Sequence, residues 1–157
     1  MKKLLKFSSF LATAAGILML IGGAWGIYFT YQNVTQEKIV TPSDASIPNT
    51  PVKGPFTLKA QAEIIRKHTL RITEGKTFAE MPGTIPQLDE SGNPVLNEQG
   101  KPIMVPNTAR DIWITATTLR TALSLALVAY ALSALVFFLG LMSIGIGIVF
   151  YALSKKG

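Results

Sequence analysis

From Leu119 to Leu153 the chain runs thirty-five residues with a single charged side chain, Arg120, and Ser154, Lys155 and Lys156 follow. No other feature restricts the fold as strongly. A bilayer core about 30 Å thick is crossed by roughly 20 helical residues at about 1.5 Å each. The run is longer than that, so the surplus is expected to continue beyond the hydrocarbon as more of the same helix. A start is visible at Pro106, Asn107 and Thr108, where Asn or Thr can cap and Asp111 adds a carboxylate to the first turn. Between Thr108 and Thr121 the sequence is amphipathic, with Ile112, Leu119 and Ala122 sharing one side with Thr115. One helix over residues 107–153 then stands partly above the membrane. Trp113, about two turns outside the interface, is read as a packing or partner residue rather than a lipid anchor.

A second apolar run, Phe7 to Tyr31, is also long enough to span. A cleaved signal peptide shares its Lys-rich start and its small residues Gly22, Gly23 and Ala24. The apolar character nevertheless continues through Trp25, Ile27, Tyr28 and Phe29, an aromatic belt at an outer interface. An uncleaved span is the expectation.

The charges report topology. All nine acidic residues lie between Glu37 and Asp111, while Lys2, Lys3, Lys6, Lys155 and Lys156 supply five of the positive charges behind the net +6. Lysines flanking spans stay cytoplasmic, and two spans make the two ends co-sided. Both flanks therefore agree: termini inside, residues of about 32–120 outside. The ten basic and nine acidic residues of that outer segment nearly cancel, which argues against nucleic acid as a partner. An apolar content of 48%, charged residues at 15% and a mean hydropathy of +0.35 agree with membrane residence. The absence of cysteine excludes disulfides and thiolate metal or redox chemistry. No charge lies deep in either span, so the chain is not expected to be a transporter on its own.

Small residues punctuate both spans. Gly22 and Gly26 stand four apart, as do Ala12 and Gly16, and Ser143 and Gly147, with Gly140 and Gly145 nearby. This spacing lets helix backbones approach closely in lipid. The spans can pack on each other as a hairpin or dock on another membrane protein; the hairpin is the simpler reading, and both can hold.

The outer segment opens with a stretch, Thr35 to Pro55, that holds four prolines and many Ser, Thr and Asn, and is expected to be an extended tether. Ala62, Ile65, Thr69 and Ile72 then recur at helical spacing, which predicts an amphipathic helix over Thr57 to Thr73 with Thr57 as cap and Gly75 as left-handed stop. A helix this short is marginal alone and needs a surface for its apolar stripe. His68 is the only histidine. Metal sites need several ligands and an imidazole base needs a partnered nucleophile, so a helix-surface or helix-interface histidine is expected. Gly75-Lys76-Thr77 matches only the tail of a phosphate loop, without the upstream Gly or a preceding strand.

Residues Asp89 to Met104 read DESGNPVL followed by NEQGKPIM, a tandem repeat of eight. A calcium loop of the EF-hand type needs Gly at position 6 and Glu at 12, whereas Gly92 falls fourth from Asp89 and the second copy starts with Asn97. Both copies keep Gly, one residue, Pro, then two apolar residues. That is turn chemistry, and it predicts a hairpin-like flap joined through Asn97 to Gly100.

The runs GPFTLKAQAEIIRKHTLRITEGKTFAEM and TATTLRTAL resemble those of a family of small bacterial two-span membrane proteins. The likeness rests on Ile65-x-x-His68, on Gly75 to Glu80 and on Leu119 to Leu123, and covers most of the chain outside Thr84 to Met104. Sequences of this kind carry the description aromatic ring-opening dioxygenase. Extradiol cleavage on iron uses a facial set, commonly two His and a carboxylate, and this chain has one His. The resemblance thus implies topology and no chemistry.

The expected fold is an all-α membrane protein: two transmembrane helices, an extracytoplasmic helical segment and a short hairpin-like insertion. The expected order is a cytoplasmic N-terminus (1–6), transmembrane helix (7–31), Pro-rich tether (32–56), outer helix and turn (57–83), repeat insertion (84–106), long helix (107–153) and cytoplasmic C-terminus (154–157). The expected function is that of a non-catalytic accessory or structural subunit of a larger cell-envelope membrane complex, respiratory assemblies included. Its partners are then the lipid bilayer and other integral membrane subunits, with no metal or cofactor. The expected contact residues are Gly22 and Gly26 in the membrane and Ile65, His68, Phe78, Trp113 and Arg120 outside. The alternative is a membrane-anchored extracytoplasmic protein that binds a ligand or cation and acts as a sensor.

Overall fold

Both apolar runs are continuous helices in the computed structural model, which describes residues 1–156. The elements in order are α1 (Lys2–Gln36), α2 (Pro55–Ile72), a 3₁₀ turn (Phe78–Glu80), β1 (Thr84–Pro86), β2 (Met104–Pro106) and α3 (Thr108–Lys156). The described residues are thus mostly helical, with three helices and one small two-stranded hairpin. Both α1, with 35 residues, and α3, with 49, are long and apolar enough to cross a membrane. Their large side chains mostly face outward: Phe10, Leu18, Trp25, Phe138 and Met142 are each more than 60% exposed. A core helix of a water-soluble protein buries such residues. Here they form the surface that lipid would cover.

The two long helices pack antiparallel along a seam of small residues. On α1 the buried positions Ser9, Gly16, Gly23 and Thr30 step by seven. On α3 two phases do the same, first Ala116, Leu123 and Tyr130, then Gly140, Gly147 and Ser154. A seven-residue period, rather than the 3.6 of a straight helix, is that of a left-handed supercoil. Backbones touch where glycine meets glycine: a Cβ added to Gly16 would lie 2.7 Å from the Gly140 carbonyl oxygen, and one on Gly140 would lie 2.8 Å from that of Gly16. Two hydroxyls bridge the seam. Ser9 Oγ donates to the Gly147 carbonyl at 2.7 Å and Ser143 Oγ to the Ala12 carbonyl at 2.8 Å. The antiparallel arrangement puts Lys2, Lys3, Lys6, Lys155 and Lys156 at one end, hereafter the terminal end, and everything between α1 and α3 at the other, the connector end.

Where the four prolines predict an extended tether, residues 37–54 instead fold back on themselves. Val52 N donates to the Ile39 carbonyl at 2.9 Å, Thr41 N to that of Thr50 at 3.0 Å, and Asn49 N to that of Thr41 at 3.0 Å. Thr41 and Val52 are almost wholly buried. The cause lies in tertiary structure: Ile39 and Val52 find apolar surface at the helix junction, and Pro42 sits at the corner of a turn closed by Ala45 N, where a missing N–H does no harm. Val52 joins Val34, Leu58, Leu123 and Tyr130 in a core at the connector end, flanked by Ile27, Ile39, Ala62, Ile65, Ala126 and Leu127.

Helix α2 lies across α3 above this core. It starts two residues before the expected cap. Gly54 is the N-cap and Pro55 opens the first turn, while Thr57 Oγ1 accepts from Lys53 N at 3.0 Å and Gly54 N at 3.2 Å. Gly75, at φ +81°, ends the helix region by donating its N–H to the Leu70 carbonyl at 2.7 Å.

The repeat forms two turns rather than one. Asp89 Oδ1 accepts from Ser91 N at 2.9 Å and Asn93 N at 2.8 Å; Asn97 Oδ1 accepts from Gln99 N and Lys101 N, both at 3.0 Å. Gly92 and Gly100 hold φ of +80° and +73° at matching places. A third partial copy, Pro86-Gln87-Leu88, precedes Pro94-Val95-Leu96 and Pro102-Ile103-Met104. Their central residues close a ring: Gln87 N donates to Ile103 O at 2.7 Å, Ile103 N to Val95 O at 2.8 Å, and Val95 N to Gln87 O at 2.8 Å. The ring stands on the β1–β2 ladder, which pairs Ile85 with Val105. Asn107 anchors the base to α3. Its Nδ2 donates to the Pro82 carbonyl at 3.0 Å, while its Oδ1 caps α3 by accepting from Ala109 N at 3.1 Å.

Candidate functional site

The junction of α1, α2 and α3 leaves a groove at the connector end. Val34, Leu58 and Leu123 line its buried part, with Ile39, Ile65, Leu119, Ala122 and Ala126 around them and Asn33 and Glu37 at the α1 end. Its volume is about 450 Å³. Gln61 also lines it, and its Oε1 is buried without a hydrogen-bond donor. A buried amide oxygen left unpaired costs about 1–3 kcal/mol. An occupant with an N–H or O–H would recover that cost once the Gln61 amide turns its oxygen into the groove. The residues come together because α2 packs on α3, with Leu58 in the shared core and Ala62 and Ile65 against it.

The residues singled out in the sequence have separate places. Ile65 lines the groove. His68 faces the folded-back loop, its Nε2 2.8 Å from Asp44 Oδ2, and Lys67 Nζ lies 3.9 Å from the same carboxylate oxygen. The His68 hydrogen bond, more than any other influence, holds the Asp44 carboxyl below its ordinary range. The pair is a clasp between α2 and the loop. Phe78 carries the Arg110 guanidinium 3.9 Å above its ring. Trp113 and Arg120 share a crevice with Arg66, Thr69, Ala116 and Thr117. Gly26 is used inside the chain, against Ser133, whereas a Cβ on Gly22 would meet nothing within 4 Å. The seam runs through Gly16 and Gly23. Gly22 is one residue off it and faces outward, because the contact follows a seven-residue period and not the four-residue spacing that drew attention to Gly22 and Gly26.

Glu80 caps the 3₁₀ turn by accepting from Thr77 N at 2.7 Å and Thr77 Oγ1 at 2.8 Å, and the first of these bonds chiefly lowers its carboxyl's affinity for a proton. Among the described residues no three His, Cys, Asp or Glu side chains gather as a metal site would require. The Asp89 carboxylate accepts from its own turn's amides.

Sequence reasoning missed Tyr130 and Gln61. Tyr130 donates its hydroxyl to the Lys53 carbonyl at 2.8 Å, and a Tyr amid the Leu-Ala-Val run of α3 was the available signal. For Gln61 the signal was its place beside the apolar stripe of Ala62, Ile65 and Thr69. No protein-family model, curated protein or solved structure matches the chain.

Proposed function

We propose that the chain is a non-catalytic accessory subunit of a larger cell-envelope membrane complex, with residues 1–6 and 154–157 cytoplasmic and about 32–120 on the opposite side. Lysines at the terminal end support that orientation. The observation that carries the reading is the open groove with its unpaired Gln61 oxygen, placed where the spans meet the connector. A side chain of a neighbouring integral subunit, apolar with one donor, fits both its lining and its orphan acceptor. The resemblance to two-span membrane proteins supports the topology alone.

Extraction from native membranes in mild detergent, with a photo-crosslinking residue in place of Leu119, tests it. The expected result is a discrete heteromeric adduct that is lost when Ile65→Glu places a charge in the groove. A lone monomer or homodimer with no co-purifying subunit would count decisively against the proposal. The groove's volume also lies within the roughly 300–1,000 Å³ of small-molecule sites, which favours a membrane-anchored ligand-binding protein as the second reading. A small amphiphile released on denaturing the lone protein would select that one.

A further inference from the structure

On another face of α3, Thr117, Arg120, Thr121 and Ser124 line a shallow cleft of about 240 Å³ that continues past Leu125 and Val128. Its chemistry changes along its length. Three hydroxyls and a guanidinium lie toward the connector end, and apolar side chains lie along the span. Arg120 is where the apolar run begins. Its Nε is buried without an acceptor. A crevice next to it, too tight for a water, is lined by Arg66 of α2 and Trp113 together with Arg120. Among the described residues the carboxylate pairs are Lys59–Glu63, Lys67–Asp44, His68–Asp44 and Lys76–Glu74, so neither arginine has an acidic partner. Arginine stays charged, and a half-buried guanidinium without an acidic partner is stabilised by an anion that reaches its terminal N–H groups.

We infer that Arg120, with Arg66 and the hydroxyls of Thr117, Thr121 and Ser124, holds the phosphate of an anionic phospholipid whose acyl chain lies over Leu125 and Val128. Phosphate supplies the multiple acceptor oxygens that a guanidinium fork binds. The hydroxyls can donate to the remaining oxygens. The apolar continuation distinguishes a lipid from a free anion, because inorganic phosphate gains nothing from Leu125 and Val128. Trp113 lies on the polar side, where its ring can cover the headgroup. The inference rests on the membrane reading above and is independent of the groove, which faces α1.

The test uses the full chain in mild detergent, with native mass spectrometry and thermal melting against phosphatidylglycerol, phosphatidylcholine of matched chains, and inorganic phosphate. Phosphatidylglycerol is expected to remain bound and raise the melting temperature, and phosphatidylcholine is not. Arg120→Gln is expected to weaken phosphatidylglycerol about tenfold, the effect of losing one charge-assisted hydrogen bond, and Arg66→Gln several-fold. Lys101→Gln, which removes a charge on the flap, is expected to leave binding unchanged. Should Arg120→Gln fail to fold, Arg120→Lys retains the charge and loses the fork, and weaker but still selective binding is the expected outcome. Equal binding of both lipids, an equal loss in Lys101→Gln, or full reproduction of the effect by millimolar phosphate overturns the inference. An alkaline carbonate wash separates the two failures. Release of the chain from membranes removes the membrane reading together with the site, whereas retention without lipid selectivity removes the site alone.

Discussion

The Tyr130 hydroxyl donates to the Lys53 main-chain carbonyl at 2.8 Å across seventy-seven residues of sequence, and the bond fixes the start of α2 to the middle of α3. Around it the folded-back loop, α2 and both long helices share one small core. A change at this bond is therefore felt by the whole connector.

Tyr130→Phe leaves the Lys53 carbonyl unpaired in a part-buried site and is expected to cost about 1–2 kcal/mol. Tyr130→Ala adds a cavity and is expected to cost about 3–5 kcal/mol. Thermal unfolding in detergent gives the magnitudes. Limited proteolysis gives the location, with faster cutting between Lys38 and Lys53 and unchanged cutting elsewhere.

Adjacent glycines on α1 should respond in opposite ways. Gly23→Leu drives a side chain into Phe137, where even a Cβ would be 2.7 Å from its backbone nitrogen, and is expected to destabilise the pair by about 1–3 kcal/mol. Gly22→Leu points outward and is expected to change stability by less than about 0.5 kcal/mol. Steric-trap unfolding of the two variants side by side reads the difference. Equal effects would show that the seam is not where it is described.

Acid should loosen the clasp on the loop. Folding holds Asp44 below its ordinary value of 3.8, chiefly through the His68 hydrogen bond, so the unfolded chain takes up a proton first as pH falls. The clasp therefore contributes its full stability above the ordinary value and loses it as pH falls through the lowered one. Hydrogen exchange at the Thr41, Ala45 and Asn49 amides, corrected for intrinsic rate, is expected to accelerate below about pH 4. Asp44→Asn is expected to abolish that step. Glu80 is lowered in the same direction by Thr77, so its turn should loosen over a similar range.

The flap should be a separable unit. Gly92→Ala and Gly100→Ala force a Cβ into left-handed backbone and are each expected to cost the flap about 1–2 kcal/mol. Amide exchange at Gln87, Val95 and Ile103, the ring donors, would report the loss, with the α1–α3 pair unchanged. Calorimetry with millimolar calcium is expected to give no saturable heat, because Asp89 Oδ1 is engaged by two main-chain amides.

The two long helices were legible because spanning length and apolar composition leave a chain few other options. The capped start of α3 at Asn107 and the left-handed Gly75 were legible for a similar reason, since each is a local solution to unpaired backbone groups. The loop over residues 37–54 was not. Its prolines read as a tether until Ile39 and Val52 have a helix junction to cover, and that junction involves Leu123 and Tyr130, far along the chain. The repeat was legible as turns, yet its third member, Gln87, carries neither the Gly nor the Asx of the other two and joins them only through main-chain bonds.

By itself, then, the sequence determined what is periodic and local: two long apolar helices, lysines at both flanks, caps, and Gly-Pro turns. Tertiary structure decided which glycine faces which backbone. Gly22 and Gly23 are equivalent in local propensity, and only the seven-residue phase set by contact with α3 separates them. It also decided which polar groups are left over. Gln61 and Arg120 become unpaired only when α2 is laid across α3, because burial and pairing are properties of two surfaces in contact.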